Sequence, residues 1–214
     1  MGIDKALAGF FPDSGFVSRE TWQRLELYAD LVRKWQPTIN LISPNTVPEL
    51  WERHVLDSLQ LFRLQQKPLN WIDMGSGAGF PGLVTAICLM DQAEGWVHLV
   101  ESNNKKAAFL RQVIVKTGAR ASVHPMRMET MPSELENIDA ISARALASLK
   151  DLLDYAAPFA ERKADFQMWF HKGLDYREEV RSARDHWGFD LIEHPSLAQD
   201  GSAILQISHL SKRN

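Results

Sequence analysis

The chain has a single cysteine, Cys88, set inside an apolar run, so no disulfide can form within it and a reducing compartment is the expected setting. Seven histidines are spread without Cys/His clustering at ligand spacing, and no structural metal is expected. No apolar run reaches the roughly 20 residues of a membrane span, and the first residues lack a charged-then-apolar leader pattern, so a cytoplasmic chain with no membrane contact is expected. An excess of positive charge is missing too. The formal net charge is −3, so any nucleic-acid partner must be met by local basic groups. Repeats and low-complexity segments are absent. What remains is 214 residues, 45% apolar and 24% charged, enough for one α/β unit with an extension; monomer is the default expectation.

The chain is organised around Leu69-Asn70-Trp71-Ile72-Asp73-Met74-Gly75-Ser76-Gly77-Ala78-Gly79-Phe80-Pro81-Gly82. An apolar run of strand length carries an acid near its end, then a glycine-dense turn, then an apolar helix from about Leu83. Glycines at 75, 77 and 79 permit positive φ and close approach of backbone to a ligand. Gly77-x-Gly79-x-x-Gly82 spells the dinucleotide fingerprint, so a nicotinamide or flavin enzyme is one reading. Asp73 interrupts the apolar approach that fingerprint needs, and Pro81 removes an N–H that a pyrophosphate would seek. An acid followed by Gly-x-Gly-x-Gly looks like motif I of S-adenosylmethionine-dependent methyltransferases. That cofactor carries an ammonium and a sulfonium but no phosphate, which suits a carboxylate. No Tyr-x-x-x-Lys pair supports a dehydrogenase.

Along the chain, Ser18 reads as an N-cap and Trp22, Leu25, Ala29, Val32 and Trp35 as the apolar face of a helix ended by Pro37; Phe10, Phe11 and Phe16 are tie-down points before it. Asn45-Thr46 with Pro48 begins a second helix, its stripe Trp51, Val55, Leu59 and Phe62. On it Arg53 and Asp57 form an i,i+4 pair, most simply a solvated salt bridge, with His54 beside them. Residues 1–65 thus read as a helical extension packed on a core of 66–214.

From residue 69 strands and helices alternate: 69–74, a helix 82–90, strand 96–100 ending at Glu101, a helix with Gly118 as C-cap, strand 121–124, strand 138–142 running into Arg144, a helix 149–159, strand 166–170, a charged helix 176–185, and strands 189–193 and 203–210, the last pair antiparallel. The expected fold is a Rossmann-like α/β sheet of seven strands. Glu101 is placed to accept ribose hydroxyls, Met128 to pack on a base, Glu129 to cap a short helix, and Arg144 to face the strand-end crevice.

With these pieces placed, the chain resembles the bacterial 16S rRNA (guanine-N7) methyltransferase family called RsmG or GidB. The likeness rests on Arg53-His54 with Asp57-Ser58-Leu59, on Asp73 to Gly82, on Arg127-Met128-Glu129, on Ser142-Ala143-Arg144-Ala145, and on Lys172-Gly173. It implies a class I methyltransferase sheet and S-adenosylmethionine contacts at Gly75, Phe80, Met128, Glu129 and Arg144. Asp73, Ser76, Gly77 and Glu101 complete the expected cofactor set. The implied acceptor is a guanine of small-subunit rRNA, alone or within the 30S ribosomal particle. Another RNA or a small molecule remains an alternative acceptor, and a non-catalytic binding module an alternative class. Arg144 is expected at the guanine side, and Arg53, His54, Lys105 and Lys172 at RNA phosphates.

The sequence lacks the Asn/Asp-Pro-Pro-aromatic segment of enzymes that methylate exocyclic amines. Guanine N7 has an in-plane lone pair and no proton, so alignment alone can serve and no general base is expected.

Overall fold

The computed structural model describes residues 16–67 and 69–213; Phe10 and Phe11 lie outside them. Helix α1 (Arg19–Ile39) starts where Ser18 accepts the Thr21 N–H at 3.1 Å, as an N-cap should. It does not stop at Pro37. The missing proline N–H falls in the last turn, and the exit is secured another way: Asn40 takes φ 46°, and Gln36 Oε1 accepts the N–H groups of Leu41 and Ile42 at 2.8 and 2.9 Å. Phe16 packs on the core, with the Arg63 guanidinium 6.0 Å from its ring centroid.

The second helix departs from regular α geometry. Trp51–Leu56 is a π-helical turn running into α2 (Asp57–Leu64). Its wider winding breaks the i,i+4 alignment, and the Arg53–Asp57 salt bridge expected from spacing does not form. Asp57 is buried and pairs elsewhere.

The sheet comprises β1 (Asn70–Met74), β2 (Trp96–Val100), β3 (Ala121–His124), β4 (Ala140–Arg144), β5 (Gln167–Lys172), β6 (Trp187–Pro195) and β7 (Ala203–Lys212). Strand order is β3-β2-β1-β4-β5-β7-β6; the first five are parallel, and β7 runs antiparallel to both β5 and β6. Chain order reverses between β1 and β4, so a crevice opens at their carboxyl ends. Strand β4 begins two residues later than the apolar run suggests; just before it, the Asp139 carboxylate accepts the Asn70 N–H (2.7 Å) and pairs with the Lys163 ammonium.

The helices are α3 (Gly82–Cys88), α4 (Asn104–Thr117), α5 (Met131–Glu134), α6 (Leu149–Ala160) and α7 (Tyr176–Arg184). Helix α3 ends earlier than position 90, passing into a 3₁₀ turn at Leu89–Asp91. Helix α4 has Asn103 as N-cap and Gly118 at φ 73° as C-cap, where a left-handed residue is needed. One sheet face packs against α1, α2, α3 and α4 in a core that includes Leu25, Val32, Leu59 and Phe109. The other face packs against α6 and α7 through Leu152, Leu153, Phe159 and Val180. The helical segment and the sheet therefore share one core.

Candidate functional site

The glycine turn follows β1. Gly75, Gly77 and Gly79 all take positive φ (59°, 56° and 99°), which explains why side-chain-bearing residues are avoided there. Space decides less uniformly. A Cβ on Gly77 would meet nothing closer than 3.7 Å, but one on Gly82 would lie 2.6 Å from the Asp73 carboxylate and from Leu99. Gly82 is thus a packing glycine, keeping α3 close to β1.

Asp73 sits beneath the turn rather than in the open crevice. It is 1% exposed, and Oδ1 accepts from the Ser142 hydroxyl of β4 at 2.7 Å. Oδ2 is buried against Gly82 and completes no hydrogen bond among the described residues. Burial pushes this carboxyl up to about 6, opposed by the Ser142 hydroxyl, so it is largely ionised at neutral pH. Glu101 holds the other side of the turn: Oε2 accepts the Gly77 N–H at 2.8 Å and Oε1 the Asn103 N–H at 2.7 Å. The helix cap itself is Asn103, so Glu101 keeps spare lone pairs beside the turn.

A cavity of about 730 Å³ opens at the β1/β4 switch point. It is lined by Gly75, Ser76, Gly77 and Phe80 of the glycine turn, by Arg144, and by Arg53, His54 and Lys172. Asp73, Glu101, Met128, Glu129 and Lys105 do not line it; Lys106 does, one residue on from Lys105. Met128 lies half-buried on the second core face, and Glu129 is exposed in the 3₁₀ turn Met128–Thr130, whose N-cap is Arg127. Glu129 therefore lies inside the turn and does not cap it.

Arg144 ends β4 with its side chain 16% exposed, the guanidinium lying over the Phe80 ring at 5.2 Å. Nη1 donates to the Arg53 carbonyl at 3.0 Å and reaches Asp57 Oδ2 at 3.4 Å; Nη2 donates to His54 Nδ1. Burial lowers its pKa, and the Asp57 carboxylate opposes that shift. The residue after it, Ala145, takes φ 51°, so the strand exit carries backbone strain at the cavity wall.

Two expected phosphate contacts look different in place. His54 is buried, and burial pushes its imidazole down to about 3, aided by the Arg144 charge. It is a neutral acceptor for Arg144, unsuited to carrying charge to a phosphate. The Lys172 side chain is 8% exposed and spends its ammonium on Glu179 (2.5 Å) and the Ala147 carbonyl (2.9 Å). Arg53 donates to Gln199 Oε1 at 3.0 Å, in the β6–β7 connection.

Four contributors were missed by sequence reasoning. Tyr28 of α1 donates to the Ala78 carbonyl at 2.6 Å; its spacing with Leu25 and Val32 marks it as inward-facing, but not what its hydroxyl meets. Ser142 is the partner of Asp73. His171 of β5, buried, approaches the Asp57 carbonyl at 3.2 Å, and Ser196 donates to Asp57 Oδ1 at 3.0 Å. These last two come from segments distant in sequence, and no local pattern signals them.

The arrangement suits a cationic, phosphate-free ligand: a turn of open backbone flanked by the carboxylates of Asp73 and Glu101, with Pro81 in place of a donor at the helix start. Groups of three or more His, Cys, Asp or Glu side chains placed to hold a metal ion do not occur among the described residues.

Comparison with known proteins agrees. The family GidB, rRNA small subunit methyltransferase G, matches residues 21–207. Ribosomal RNA small subunit methyltransferase G of Rhizobium meliloti (strain 1021) is 55% identical over 198 residues, 92% of this chain and 93% of its own. Among solved structures, cofactor-bound Rv0187 from MTB aligns with TM-score 0.62 at 12% identity, over 96% of this chain and 95% of that one. A mutant of MtNAS in complex with S-adenosylmethionine aligns with TM-score 0.55 at 16% identity, over 86% of this chain and 71% of that one. At such identities the structural matches speak for the fold alone.

Proposed function

Since the chain belongs to the rRNA small subunit methyltransferase G family, an S-adenosylmethionine-dependent enzyme acting on guanine N7 of 16S rRNA, we propose that its reaction is aligned in the cavity between the glycine turn and Arg144. The observation that carries this reading is the junction itself: Gly75, Ser76, Gly77, Phe80 and Arg144 line one cavity at the strand-order reversal.

S-Adenosylmethionine supplies an electrophilic methyl group. Gly75 to Ala78 would hold its amino-acid end, Asp73 would favour the cation through its field from beneath, and Glu101 would accept ribose hydroxyls. Met128 and Glu129, beyond the carboxyl end of β3, would meet the base. Arg144 would fix the guanine edge by donating to O6, leaving N7 free. N7 needs no deprotonation, so the work is orientation and exclusion of water. The Asp57 and Glu179 carboxylates temper the positive charge of Arg144 and Lys172, which matters because the product base is cationic.

In this reading residues 1–65 act as an extension serving the 66–214 sheet, with Arg53 and the α4 start at Lys105 and Lys106 meeting RNA phosphates. His54 and Lys172 support this wall from within. A small-subunit rRNA substrate implies a cytoplasmic enzyme, and a monomer on a 30S particle fits a cavity built by one chain. Methyl transfer to isolated small subunits, compared with naked rRNA, tests the reading. Arg144→Ala should lower turnover on the better substrate at least ~100-fold; unchanged kcat and KM would remove Arg144 from the site.

A further inference from the structure

Arg144 reaches the cavity from a strand end, and a strand end alone does not fix a long, rotatable side chain. Something must hold the guanidinium still. A guanidinium only donates, so the ring nitrogen it meets, His54 Nδ1, must be the bare one. A neutral imidazole then carries its proton on Nε2, which lies 2.8 Å from Thr46 Oγ1. The Thr46 hydroxyl has its own proton, and Thr46 Oγ1 lies 2.9 Å from the Ser43 carbonyl, which can only accept. Every role in the relay is thereby assigned: Arg144 to His54 to Thr46 to the Ser43 carbonyl.

We propose that His54 and Thr46 are positioning residues for the reaction: Thr46 fixes the His54 tautomer, and His54 fixes the guanidinium of Arg144. The inference rests on the placement of Arg144 in the active cavity given above. Three further features support it. The His54 ring is packed 5.2 Å from Phe80, the same ring that Arg144 covers, so imidazole and guanidinium share one platform. The Arg53 carbonyl, His54 and Asp57, all at the π-helical turn or its exit, meet one guanidinium, so the same backbone segment that carries His54 also holds Arg144. The charges nearby also favour a neutral ring: burial, Arg144 and Arg53 disfavour the imidazolium, and only Asp57 works the other way. A protonated His54 would offer Arg144 a hydrogen rather than a lone pair.

The test uses the full-length protein and small subunits as acceptor, with single-turnover rate, acceptor KM and S-adenosylmethionine affinity read for each variant. His54→Leu should lower the rate at least tenfold with the acceptor KM within threefold. His54→Asn, whose amide oxygen takes the place of Nδ1, should recover most of it. Thr46→Val should lower the rate severalfold, and Thr46→Ser should not. A double variant, His54→Leu with Arg144→Ala, should be no slower than Arg144→Ala alone, because His54 acts only through Arg144. Additive losses in that double variant, or equal damage from Asn and Leu at 54, would reduce His54 to a packing residue and overturn the inference. Should His54→Leu not fold, the Thr46 pair decides: equal rates for Val and Ser would overturn it. If Arg144→Ala itself keeps wild-type rate, the fault lies with the placement of Arg144 and not with the relay.

Discussion

Tyr28 donates its hydroxyl proton to the carbonyl of Ala78, 2.6 Å away and 50 residues later in the chain. The bond joins the first helix to the glycine turn, and the Tyr28 ring lies 5.1 Å from Phe80. The helical segment is therefore tied to the wall of the cavity. Tyr28→Phe leaves the Ala78 carbonyl without this partner, at a cost of about 1–3 kcal/mol. Urea denaturation should show that loss, and calorimetry a severalfold weaker S-adenosylmethionine affinity. Unchanged values in both would disconnect the helix from the turn.

The two kinds of glycine in the turn predict different failures. Gly82→Ala drives a methyl into Asp73 and Leu99, and overpacking of this kind costs about 1–3 kcal/mol. Gly77→Ala makes only an ordinary contact, 3.7 Å from the Gly75 carbonyl oxygen, and its cost is the left-handed φ, about 1–2 kcal/mol. Cofactor affinity should fall further in Gly82→Ala than thermal stability alone accounts for, because Asp73 is displaced with it. Equal behaviour of the two variants would argue against the packing role of Gly82.

Asp73 is held for its charge at the expense of stability. Its folded pKa, about 6, lies above the unfolded value near 3.9, so its contribution to stability is present at low pH and lost as pH rises through 6. Asp73→Asn should therefore be at least as stable as wild type at pH 7.5, yet bind S-adenosylmethionine at least tenfold more weakly. A variant that loses stability but keeps cofactor affinity would make Asp73 a structural residue only.

The histidines act in the opposite sense. Burial lowers His54 to about 3 and His98 to about 4, and lowers His124 and His171 as well. The unfolded chain takes up these protons below about pH 6.5 while the folded chain does not, so stability falls as pH drops from there. Each such group sets a slope of at most about 1.4 kcal/mol per pH unit, less for the more exposed His98 and His124. Asp73 offsets one of them between about pH 6 and 4. The urea midpoint should fall from pH 7 to 4.5, and His54→Asn should flatten the fall. A wild-type midpoint independent of pH over that range would contradict these burial effects.

The sheet was legible because its strands are short, apolar and separated by turn residues, and because Ser18 and Gly118 mark helix ends by chemistry that depends on local backbone alone. The glycine turn was legible for the same reason. The π-helical turn was not: Trp51, Val55, Leu59 and Phe62 fit regular α spacing, and one extra residue in a turn leaves no trace in such a pattern. Nor was the direction of Asp73, which depends on Ser142 on a strand far along the chain. His54 read as a phosphate contact because residue type is visible in a sequence and burial beside an arginine is not.

Transfer of a labelled methyl group from S-adenosylmethionine to purified small subunits, followed by nucleoside analysis of the rRNA, tests the central claim most directly. Wild-type protein should give about one equivalent of 7-methylguanosine per subunit, and Arg144→Ala should give it at least ~100-fold more slowly. Label on an exocyclic amine or a ribose, or Arg144→Ala transferring at the wild-type rate, would contradict an Arg144-aligned attack by guanine N7 in this cavity.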